Sequence, residues 1–499
     1  MELTFVKLAR ALKMDTLVLP FIEGAKEPIT TEEKLLRILK PAIILKDAKG
    51  KKGEVTLLYP DMEGVPKRII LVGLGKEEEI SAEPIREAYA AVAKKLVSMK
   101  IDTASVVVPQ IGCDELSRSD RLYAAETAGA VAEGIFLTDY SFDKYVCPEK
   151  EEDKYQPLKA LSFVGHFSKS VREAVREKQI IADAVKYVRD LQNDTADLVS
   201  PEYLAQQAKA VAKEHGLKCT VLDKKKIEKL GMGLLLAVNR GSSLEPRFII
   251  LEYQGDPKSE DKTALIGKGL TFDSGGYNLK PTKFIETMRE DMSGAAVILG
   301  VIQAAARLQL KKNLVGVIPA TENMIGSRAY KPGDIYKSMS GKTVEIGNTD
   351  AEGRLILADA LTYTVQKIKP ARIIDLATLT GAMVITFGDV VIGAMTNDDQ
   401  LYEKIYEAGE ATYERVWRLP IYDEHRELLK SDIADMKNMG GRPAASITAA
   451  AFLEKFVEKT PWLHLDIAGV SWFEKERHYI PKNGTGMGVR LMIAFLTRL

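Results

Sequence analysis

A chain of 499 residues is too long for one hydrophobic core, and at about 150 residues per domain it predicts two to four folded units. Lys plus Arg and Asp plus Glu both number 70, so the formal net charge is zero and excludes a global field that would attract nucleic acid or an anionic membrane. Hydrophobic residues make up 46% of the chain and charged residues 28%, which is ordinary composition for a globular protein.

The cysteines and the N-terminus bear on the compartment. Cys113, Cys147 and Cys219 are far apart, odd in number and without a CxxC spacing, which argues against a disulfide framework or a structural zinc knuckle. Residues 1–7 lack the basic region and long apolar run of a signal peptide, and no stretch of 18 apolar residues occurs in the sequence. The sequence therefore predicts a soluble, cytoplasmic protein that does not associate with membranes.

The first third of the sequence alternates between two kinds of segment. Short runs rich in β-forming residues predict strands at 16–21, 55–59, 68–72, 104–108 and 160–164. Helical patterns lie between some of these runs, at 84–99 and 122–136. Strands separated by helices predict an α/β domain with a mostly parallel sheet.

A long helical pattern separates this domain from the rest of the chain. We predict a first domain at 1–165, a linker helix at 166–199 and a second domain at 200–499. The second domain also alternates, with predicted strands at 248–253, 263–267, 314–318 and 373–376 and predicted helices at 292–308 and 447–457. The predicted fold is two α/β domains with mixed or mostly parallel sheets flanked by helices, joined by a long helix.

The stretch 348–355, NTDAEGRL, is the strongest candidate for chemistry. Asp350 and Glu352 lie two residues apart among residues that favour turns, so their carboxylates can point to one side and bind a hard metal ion. The next residues, LILADAL, predict a helix whose free N–H groups and dipole favour an anion, and Arg354 adds a planar cation there. A solvated surface turn could contain the same acids, and the octapeptide alone does not decide between these interpretations.

Two further acids lie upstream of the octapeptide. Asp273 follows a predicted strand, and ligands in α/β sheets gather outside the carboxyl ends of strands. Asp291 lies just ahead of an apolar helix that would bury it, although taken by itself it could be only a helix N-cap. These acids, together with Asp350 and Glu352, could share a dry pocket only if cations offset their repulsion, and two divalent metal ions about 3.5–4 Å apart would do so.

The basic groups of such a site are scarce. Chemistry alone suggests that Lys268, Lys280 and Arg354 act as electrophiles or substrate clamps, because an ammonium repels a metal ion unless burial lowers its pKa. The sequence contains neither an H-E-x-x-H nor a G-x-S-x-G motif. The histidines are isolated and are better assigned structural or surface roles: His166, His215, His425, His464 and His478.

Three segments resemble signature segments of the leucyl aminopeptidase family, the M17 dimetal exopeptidases. They are GKGLTFDSGGYNLKP at 267–281, DMSGAA at 291–296 and NTDAEGRL at 348–355. The similarity extends to PATEN at 319–323, DLATLTGA at 375–382 and DIAG at 466–469, so it covers nearly all of the second half. Residues 1–165 carry no such segment, and the family's macro-like N-terminal domain is implied there by position only.

The resemblance implies a metal-binding role for each acid. Asp273 and Glu352 would bridge two zinc or manganese ions, with magnesium or cobalt as further possibilities. Lys268, as a neutral amine, and Asp291 would complete the shell of one ion, and Asp350 that of the other. The lysine ligand is implied by the family alone and does not follow from the residue chemistry above.

The resemblance also implies catalytic and substrate-binding roles. Lys280 would polarise the scissile carbonyl, and Arg354 would hold a bicarbonate that acts as the base for the attacking water. The pocket for the substrate side chain would have an apolar to small lining suited to leucine-like residues: Met288, Thr378, Leu379 and Gly381. One departure is the stretch NDTAD at 193–197, where the family commonly has an Asn-x-Pro-x-Asn turn.

The expected activity is metal-dependent release of N-terminal amino acids, leucine and other apolar residues preferred, from peptide substrates. The resemblance further implies a homohexamer, a dimer of trimers. Two alternatives use parts of the same sequence evidence. A two-metal phosphoester hydrolase would use similar acids but normally more Arg or Lys clamps, and a DNA-binding architectural role would need a basic surface that the zero net charge disfavours.

Overall fold

The computed structural model describes residues 1–499 except 31, 110–117, 151–152 and 166, and it leaves the side chains of 118–123 undescribed. The interpretations of Cys113 and His166 therefore lie outside the described residues. Within the described part of the chain, no helix combines the length and the apolar character needed to cross a bilayer.

The chain forms two compact units, and each is built from two separate stretches of the sequence. The first unit comprises Met1–Asp183 with Lys475–Pro481, and the second comprises Ala184–Glu474 with Lys482–Leu499. The division after Asp183 falls inside a 25-residue helix, Lys169–Asn193, in the region where the sequence predicts a long linking helix.

The described strands of the first unit form one mixed sheet. In chain order they are β1 Glu2–Val6, β2 Thr16–Phe21, β3 Val55–Leu58, β4 Arg68–Gly73, β5 Thr103–Val107 and β6 Ala160–Val164. Their order across the sheet is β1-β6-β5-β2-β4-β3, with β3 antiparallel to β4 and the other pairs parallel. The five predicted strands are confirmed, and β1, a partly exposed edge strand, was not predicted.

Helices cover this sheet and bury its apolar side chains. They are α1 Leu8–Ala11, α2 Glu33–Ile44, α3 Ala82–Ser98, α4 Arg118–Thr138 and α5 Lys169–Asn193. A core cluster is centred on strand residues such as Leu17, Leu19 and Ile69, all fully buried. The predicted helices at 84–99 and 122–136 correspond to α3 and α4.

The segment Lys475–Pro481 completes the first unit through polar contacts with α3. Tyr479 is buried, and its hydroxyl donates a hydrogen bond of 2.8 Å to Glu83 Oε1. Lys94 Nζ lies 3.2 Å from Glu476 Oε1. Nothing in the sequence pattern predicts that residues so near the C-terminus belong to the first unit.

The second unit is built on a larger sheet. The strands of the second unit are β7 Lys218–Leu222, β8 Arg247–Gln254, β9 Lys262–Gly267, β10 Gly269–Asp273, β11 Asn313–Asn323, β12 Ile335–Lys337, β13 Thr343–Glu345, β14 Arg372–Ala377, β15 Ile392–Thr396, β16 Val416–Arg418, β17 Met436–Lys437, β18 Trp462–Asp466, β19 Trp472–Phe473 and β20 Asn483–Gly484. The main sheet has the order β16-β15-β18-β14-β9-β11-β8-β7, with β10 beside β11. Its central strands β18, β14, β9, β11 and β10 are parallel, so their carboxyl ends share one edge.

The helices of the second unit flank this sheet. They are α6 Pro201–His215, α7 Lys224–Lys229, α8 Gly233–Asn239, α9 Thr282–Ile285, α10 Ser293–Leu308, α11 Gly353–Tyr363, α12 Gly381–Phe387, α13 Asp399–Thr412, α14 Asp423–Glu427, α15 Ala445–Glu454 and α16 Val489–Arg498. The predicted helices at 292–308 and 447–457 correspond to α10 and α15. The structure confirms the predicted α/β fold class, with mixed sheets and flanking helices.

One buried carboxylate fixes the helix that follows the octapeptide. Asp359 on α11 is fully buried, and its Oδ2 accepts hydrogen bonds from the backbone N–H groups of Leu234 and Leu235, at 2.9 and 3.0 Å. Its Oδ1 accepts a third from Met339 N at 2.8 Å. Burial raises the pKa of Asp359 to about 7, although the three N–H donors oppose that rise. The first turn of α8 is therefore tied to the middle of α11.

Candidate active site

The predicted site residues converge on one edge of the main sheet. Lys268 directly follows β9, Asp273 ends β10 and Thr378 directly follows β14, so all three lie at the carboxyl ends of parallel strands. Sites in α/β sheets form at such an edge because the strands all deliver their following loops there.

Three carboxylates lie together at this edge. One oxygen each from Asp273, Asp350 and Glu352 can be chosen so that all three atoms lie within 4.8 Å of one another. Asp273 and Glu352 are only 1% and 2% exposed, whereas Asp350 is partly open to solvent. The fourth acid, Asp291, joins them through Lys268, whose Nζ lies 2.8 Å from Asp291 Oδ1 and 3.1 Å from Glu352 Oε1.

Two lysines neutralise part of this charge. Lys280 Nζ lies 2.8 Å from Asp273 Oδ2 and 2.6 Å from Asp350 Oδ1. Burial by itself would lower the pKa of Lys268 and of Lys280, but the surrounding carboxylates outweigh it and raise both values. Beside these carboxylates alone, the raised pKa values favour the ammonium form of both side chains.

The acids carry more negative charge than the two lysines satisfy. Burial, followed by the charges of Glu352 and Asp273, raises the pKa of Asp350 to about 7. Burial also raises the pKa of Glu352 and of Asp291. Asp291 Oδ2 and Glu352 Oε2 are buried without a hydrogen-bond partner among the described residues. Buried, unpaired carboxylate oxygens are costly unless they bind a cation, so this donor set fits divalent metal ions.

Asn438 holds the turn of the octapeptide. It is fully buried, and its Oδ1 accepts hydrogen bonds from Gly347 N at 2.8 Å and Asn348 N at 3.3 Å. Its Nδ2 donates to the carbonyls of Asn348 and Ala351, at 2.7 and 3.3 Å. No sequence signal linked Asn438 to the octapeptide, about 90 residues away.

Asn323 and Tyr330 support the same turn from the other side. Asn323 Nδ2 donates to Asp273 Oδ1 at 2.8 Å and to the carbonyl of Thr349 at 2.9 Å. Tyr330 Oη donates to the same carbonyl at 2.6 Å. Asn323 therefore fixes the carboxylate of Asp273 relative to the octapeptide. Asn323 lies in the stretch PATEN at 319–323, which resembles a segment of the family, but nothing in the sequence indicated this role.

The start of α11 carries free donors beside the carboxylates. The backbone N–H groups of Gly353 and Arg354 have no hydrogen-bond partner among the described residues. Arg354 is buried, its Nη1 donates to the carbonyl of Asn438 at 2.8 Å, and its Nε has no partner in the described part of the chain. Burial lowers the pKa of Arg354 to about 10, although Glu352 and other acids oppose that shift, so the side chain stays charged at neutral pH.

Gly353 must be glycine because Lys268 packs against it. A Cβ at this position would lie 2.7 Å from Lys268 Cε and 2.8 Å from Lys268 Nζ, and the buried lysine has little room to move. We expect Gly353→Ala to lower kcat/KM by roughly 10–100-fold, the loss typical of a displaced supporting contact. Alanine favours a helix by up to about 1 kcal/mol over glycine. We therefore expect the variant to keep its thermal stability while its activity falls.

The measurement pairs enzyme kinetics with thermal unfolding of the same sample. Gly129→Ala on α4 serves as the matched control, since it lies outside the cavity and a Cβ there would meet only the flexible side chain of Lys178, at 3.4 Å or more. Full activity in Gly353→Ala would contradict the assigned packing of Lys268 against the helix start.

A cavity of about 680 Å³ opens beside the carboxylates, and its lining includes all four predicted pocket residues, Met288, Thr378, Leu379 and Gly381. Thr378 Oγ1 donates to Asp291 Oδ1 at 2.6 Å, so this wall is tied to the acid cluster. A volume of this size is typical of small-ligand sites.

Asp466 braces the cavity wall, a role that sequence reasoning missed. Its Oδ1 accepts hydrogen bonds from Leu379 N and Ala468 N, both at 3.1 Å, and its Oδ2 accepts one from Thr380 Oγ1 at 2.7 Å. All three of these partners line the cavity. Asp466 lies in the stretch DIAG at 466–469, which resembles a segment of the family but was given no role from the sequence.

Buried carboxylates at the carboxyl edge of an α/β sheet, beside a cavity of peptide-fragment size, define a metal-dependent hydrolase. Comparisons with known sequences identify the family to which this hydrolase belongs. The chain belongs to the cytosol aminopeptidase family: its residues 186–493 match the catalytic domain of that family and residues 18–146 match its N-terminal domain.

Relatives of known name agree with this assignment over nearly the whole chain. The probable cytosol aminopeptidase of Protochlamydia amoebophila is 46% identical over 492 residues, which covers 98% of this chain and 96% of the relative. The corresponding protein of Geotalea uraniireducens is 47% identical over 451 residues, covering 90% and 89%.

Solved structures agree as well. A mutant tomato leucine aminopeptidase superposes with a TM-score of 0.87 at 32% identity and covers 100% of this chain and 97% of its own. The bottromycin maturation enzyme BotP, in complex with Mn, gives 0.83 at 32% identity, covering 97% and 99%. The comparisons confirm the predicted family and the predicted function, so the protein is a metal-dependent aminopeptidase. They support neither the phosphoester hydrolase nor the DNA-binding alternative.

Proposed function

We propose that this aminopeptidase holds two divalent metal ions at the carboxylate cluster and releases leucine-like N-terminal residues from peptides. The observation that carries the proposal is the approach of Asp273, Asp350 and Glu352 to within 4.8 Å beside a substrate-sized cavity. The unpartnered oxygens of Asp291 and Glu352 support it, because a cation would satisfy them.

The ligand set follows from the resemblance and from these positions. Asp273 and Glu352 would bridge the ions, Lys268 and Asp291 would complete one shell, and Asp350 the other. With only the carboxylates beside it, Lys268 has a raised pKa and is an ammonium. Two bound dications would lower the pKa of Lys268 and free its amine lone pair. Carboxylate oxygens suit manganese or magnesium, and zinc and cobalt also accept them.

When bound, the two ions would supply Lewis-acid polarisation of the scissile carbonyl and acidify the attacking water. The protein's own contribution begins with Lys280, whose side chain lines the cavity and is partly open to it. Its ammonium can donate a hydrogen bond to the carbonyl oxygen as negative charge develops there. Removing one such donor costs roughly 10²–10³-fold in rate in comparable sites.

A bicarbonate at the start of α11 would provide the base. The partnerless Nε of Arg354 and the free N–H groups of Gly353 and Arg354 are suitable donors for a planar anion. Arg354 and these N–H groups would hold the anion beside the carboxylates, where a bicarbonate would supply a general base.

The side chain of the N-terminal substrate residue would occupy the part of the cavity lined by Met288, Thr378, Leu379 and Gly381. Phe284 lines the same cavity and adds apolar surface. A lining of this kind favours leucine or methionine over charged or very small residues, because it buries apolar area and offers no charge partner.

The direct test is hydrolysis of a panel of aminoacyl amides by protein stripped of metal and then reloaded with Mn²⁺, Zn²⁺, Co²⁺ or Mg²⁺. We expect no activity in the stripped sample and restoration by at least one ion. Leucyl amide should exceed alanyl amide in kcat/KM by roughly 10-fold or more, the effect of the missing methylene groups in an apolar pocket. Activity that survives complete metal removal, or a preference for acidic residues, would contradict the proposal.

The homohexamer and the macro-like character of the first domain at 1–165 rest on the resemblance to the family, as does the catalytic role of the domain at 200–499. The cytoplasmic location rests on the cysteine spacing and on the name of the family, and the linker helix at 166–199 rests on its helical pattern. The sheet of mainly parallel strands flanked by helices in the first unit supports the macro-like assignment.

A further inference from the structure

Among the residues that the structure describes, one charged side chain of the cavity wall has no hydrogen-bond or ion-pair partner. The charged residues of the wall are Lys268, Asp273, Lys280, Glu290, Asp291, Asp350, Glu352, Arg354 and Arg442. All but Arg442 make a hydrogen bond or an ion pair, as the contacts above and the bond from Ser293 Oγ to Glu290 show. Arg442 is exposed, and the described part of the chain offers it no hydrogen-bond or ion-pair partner.

The loop that carries Arg442 is fixed at both ends. Asn438 is fully buried in its hydrogen bonds to the octapeptide. At the other end, Thr448 N donates to the carbonyl of Ala444 at 2.9 Å, which fastens the loop to the first turn of α15. Between them Gly440 packs so closely that a Cβ would lie 2.8 Å from Thr448 Cγ2. The backbone therefore presents Arg442 to the cavity from a defined position.

We propose that Arg442 binds the free α-carboxylate of short peptide substrates, on the side of the scissile bond that leaves. The inference rests on the aminopeptidase function and adds a substrate class to it: peptides whose C-terminus lies inside the cavity. In a dipeptide the α-carboxylate lies only one residue, about 3.6 Å of chain, beyond the scissile amide. A guanidinium pairs with a carboxylate through two parallel hydrogen bonds, which suits an unpaired arginine in a ligand cavity.

The other cations of the wall are less suited to this task. Lys268 and Lys280 are each shared between two carboxylates, and Arg354 is buried with Nη1 committed to a backbone carbonyl. Arg442 alone among the described wall residues combines a positive charge, exposure and freedom from a competing acid. A carboxylate that enters the cavity would therefore meet it without first breaking an existing ion pair.

The test compares substrates that differ only in the charge of the C-terminus. Leucylglycine and leucylglycinamide present the same scissile bond, and leucylaspartic acid α-amide carries its carboxylate on a side chain instead. We expect Arg442→Gln to lower the kcat/KM ratio of leucylglycine to leucylglycinamide by about tenfold, equivalent to about 1.4 kcal/mol for one charge-assisted contact. The change should lie in KM, and Arg442→Lys should recover part of it.

A matched control separates contact from long-range charge. Lys437→Gln removes one positive charge from β17, five residues earlier, at a position that does not line the cavity. It should leave the substrate ratio unchanged. An equal loss in Lys437→Gln, or a loss in Arg442→Gln that is the same for both substrates, would overturn the proposal. If Arg442→Gln lowers kcat/KM relative to leucylglycinamide only for leucylaspartic acid α-amide, Arg442 recognises a side-chain carboxylate and the α-carboxylate assignment is wrong.

A binding measurement gives a second readout that is independent of turnover. Calorimetry with a reduced-bond leucylglycine analogue, as the acid and as the amide, should show the acid binding more tightly to the wild type by about tenfold and losing that advantage in Arg442→Gln. Equal affinities in the wild type would overturn the inference. Failure of the wild type to hydrolyse any of the peptides would instead contradict the aminopeptidase function itself.

Discussion

Glu352→Gln and Asp273→Asn are each expected to lower kcat/KM by roughly 10³-fold or more, with the fold retained. Each change removes the charge of a carboxylate assigned to both metal ions, and Lewis-acid stabilisation of the transition state is worth several kcal/mol, where about 4 kcal/mol corresponds to that loss. The fold should survive because both replacements keep the shape of the side chain. Removing one negative charge from a crowded, buried cluster also relieves repulsion.

The measurement combines metal content, by elemental analysis after dialysis, with kinetics in metal-replete buffer. Glu403→Gln on the exposed face of α13 is the matched control for loss of one carboxylate charge outside the cavity. We expect fewer than two ions per chain in the site variants and two in the control. Near-normal turnover by either site variant in the presence of excess metal would refute the assignment of both residues as bridging ligands.

Arg354→Ala is expected to lower kcat by roughly 10²–10⁴-fold without expelling either metal ion, the contribution typical of a lost general base. The reason is the loss of the guanidinium that would hold a bicarbonate beside the free N–H groups of α11. In carbonate-depleted buffer the wild type should slow down and recover when bicarbonate is added. Arg354→Ala should respond only weakly to the same addition.

Lys280→Ala provides the matched comparison. Its rate should fall by roughly 10²–10³-fold through loss of the donor to the oxyanion, and bicarbonate should not repair it because an anion cannot replace a cation. A wild-type rate that is indifferent to carbonate depletion would rule out the bicarbonate role. Arg354 would then be a structural clamp, since its bond to the carbonyl of Asn438 already ties the octapeptide turn to a distant loop.

The carboxylates could be located from the sequence because the signals that place them are local. Asp273 follows a strand, Asp291 precedes an apolar helix, and the octapeptide is a turn that ends at a helix start. Each of these patterns is legible within about a dozen residues. Parallel strands then bring the segments to one edge without further information, so the structure places all these acids in one cavity.

The supporting residues could not be found in the same way. Asn438 binds the octapeptide and Asp466 binds the wall through hydrogen bonds that span about 90 residues of sequence. A lone Asn or Asp in a loop has many ordinary uses, and its partners are fixed only once the sheet is assembled. The state of Lys268 was likewise beyond local reasoning, since its pKa depends on three carboxylates from separate segments.

The short segment Lys475–Pro481 has a consequence for the order of synthesis. The contacts of Tyr479 with Glu83 and of Glu476 with Lys94 belong to the first unit, yet they need residues translated after nearly all of the second unit. Domains generally fold from the N-terminus as the chain emerges from the ribosome. Here α3 cannot make these contacts until residues 475–481 have been translated. A chain that stops before residue 475 would therefore leave both units incomplete, the first as well as the second.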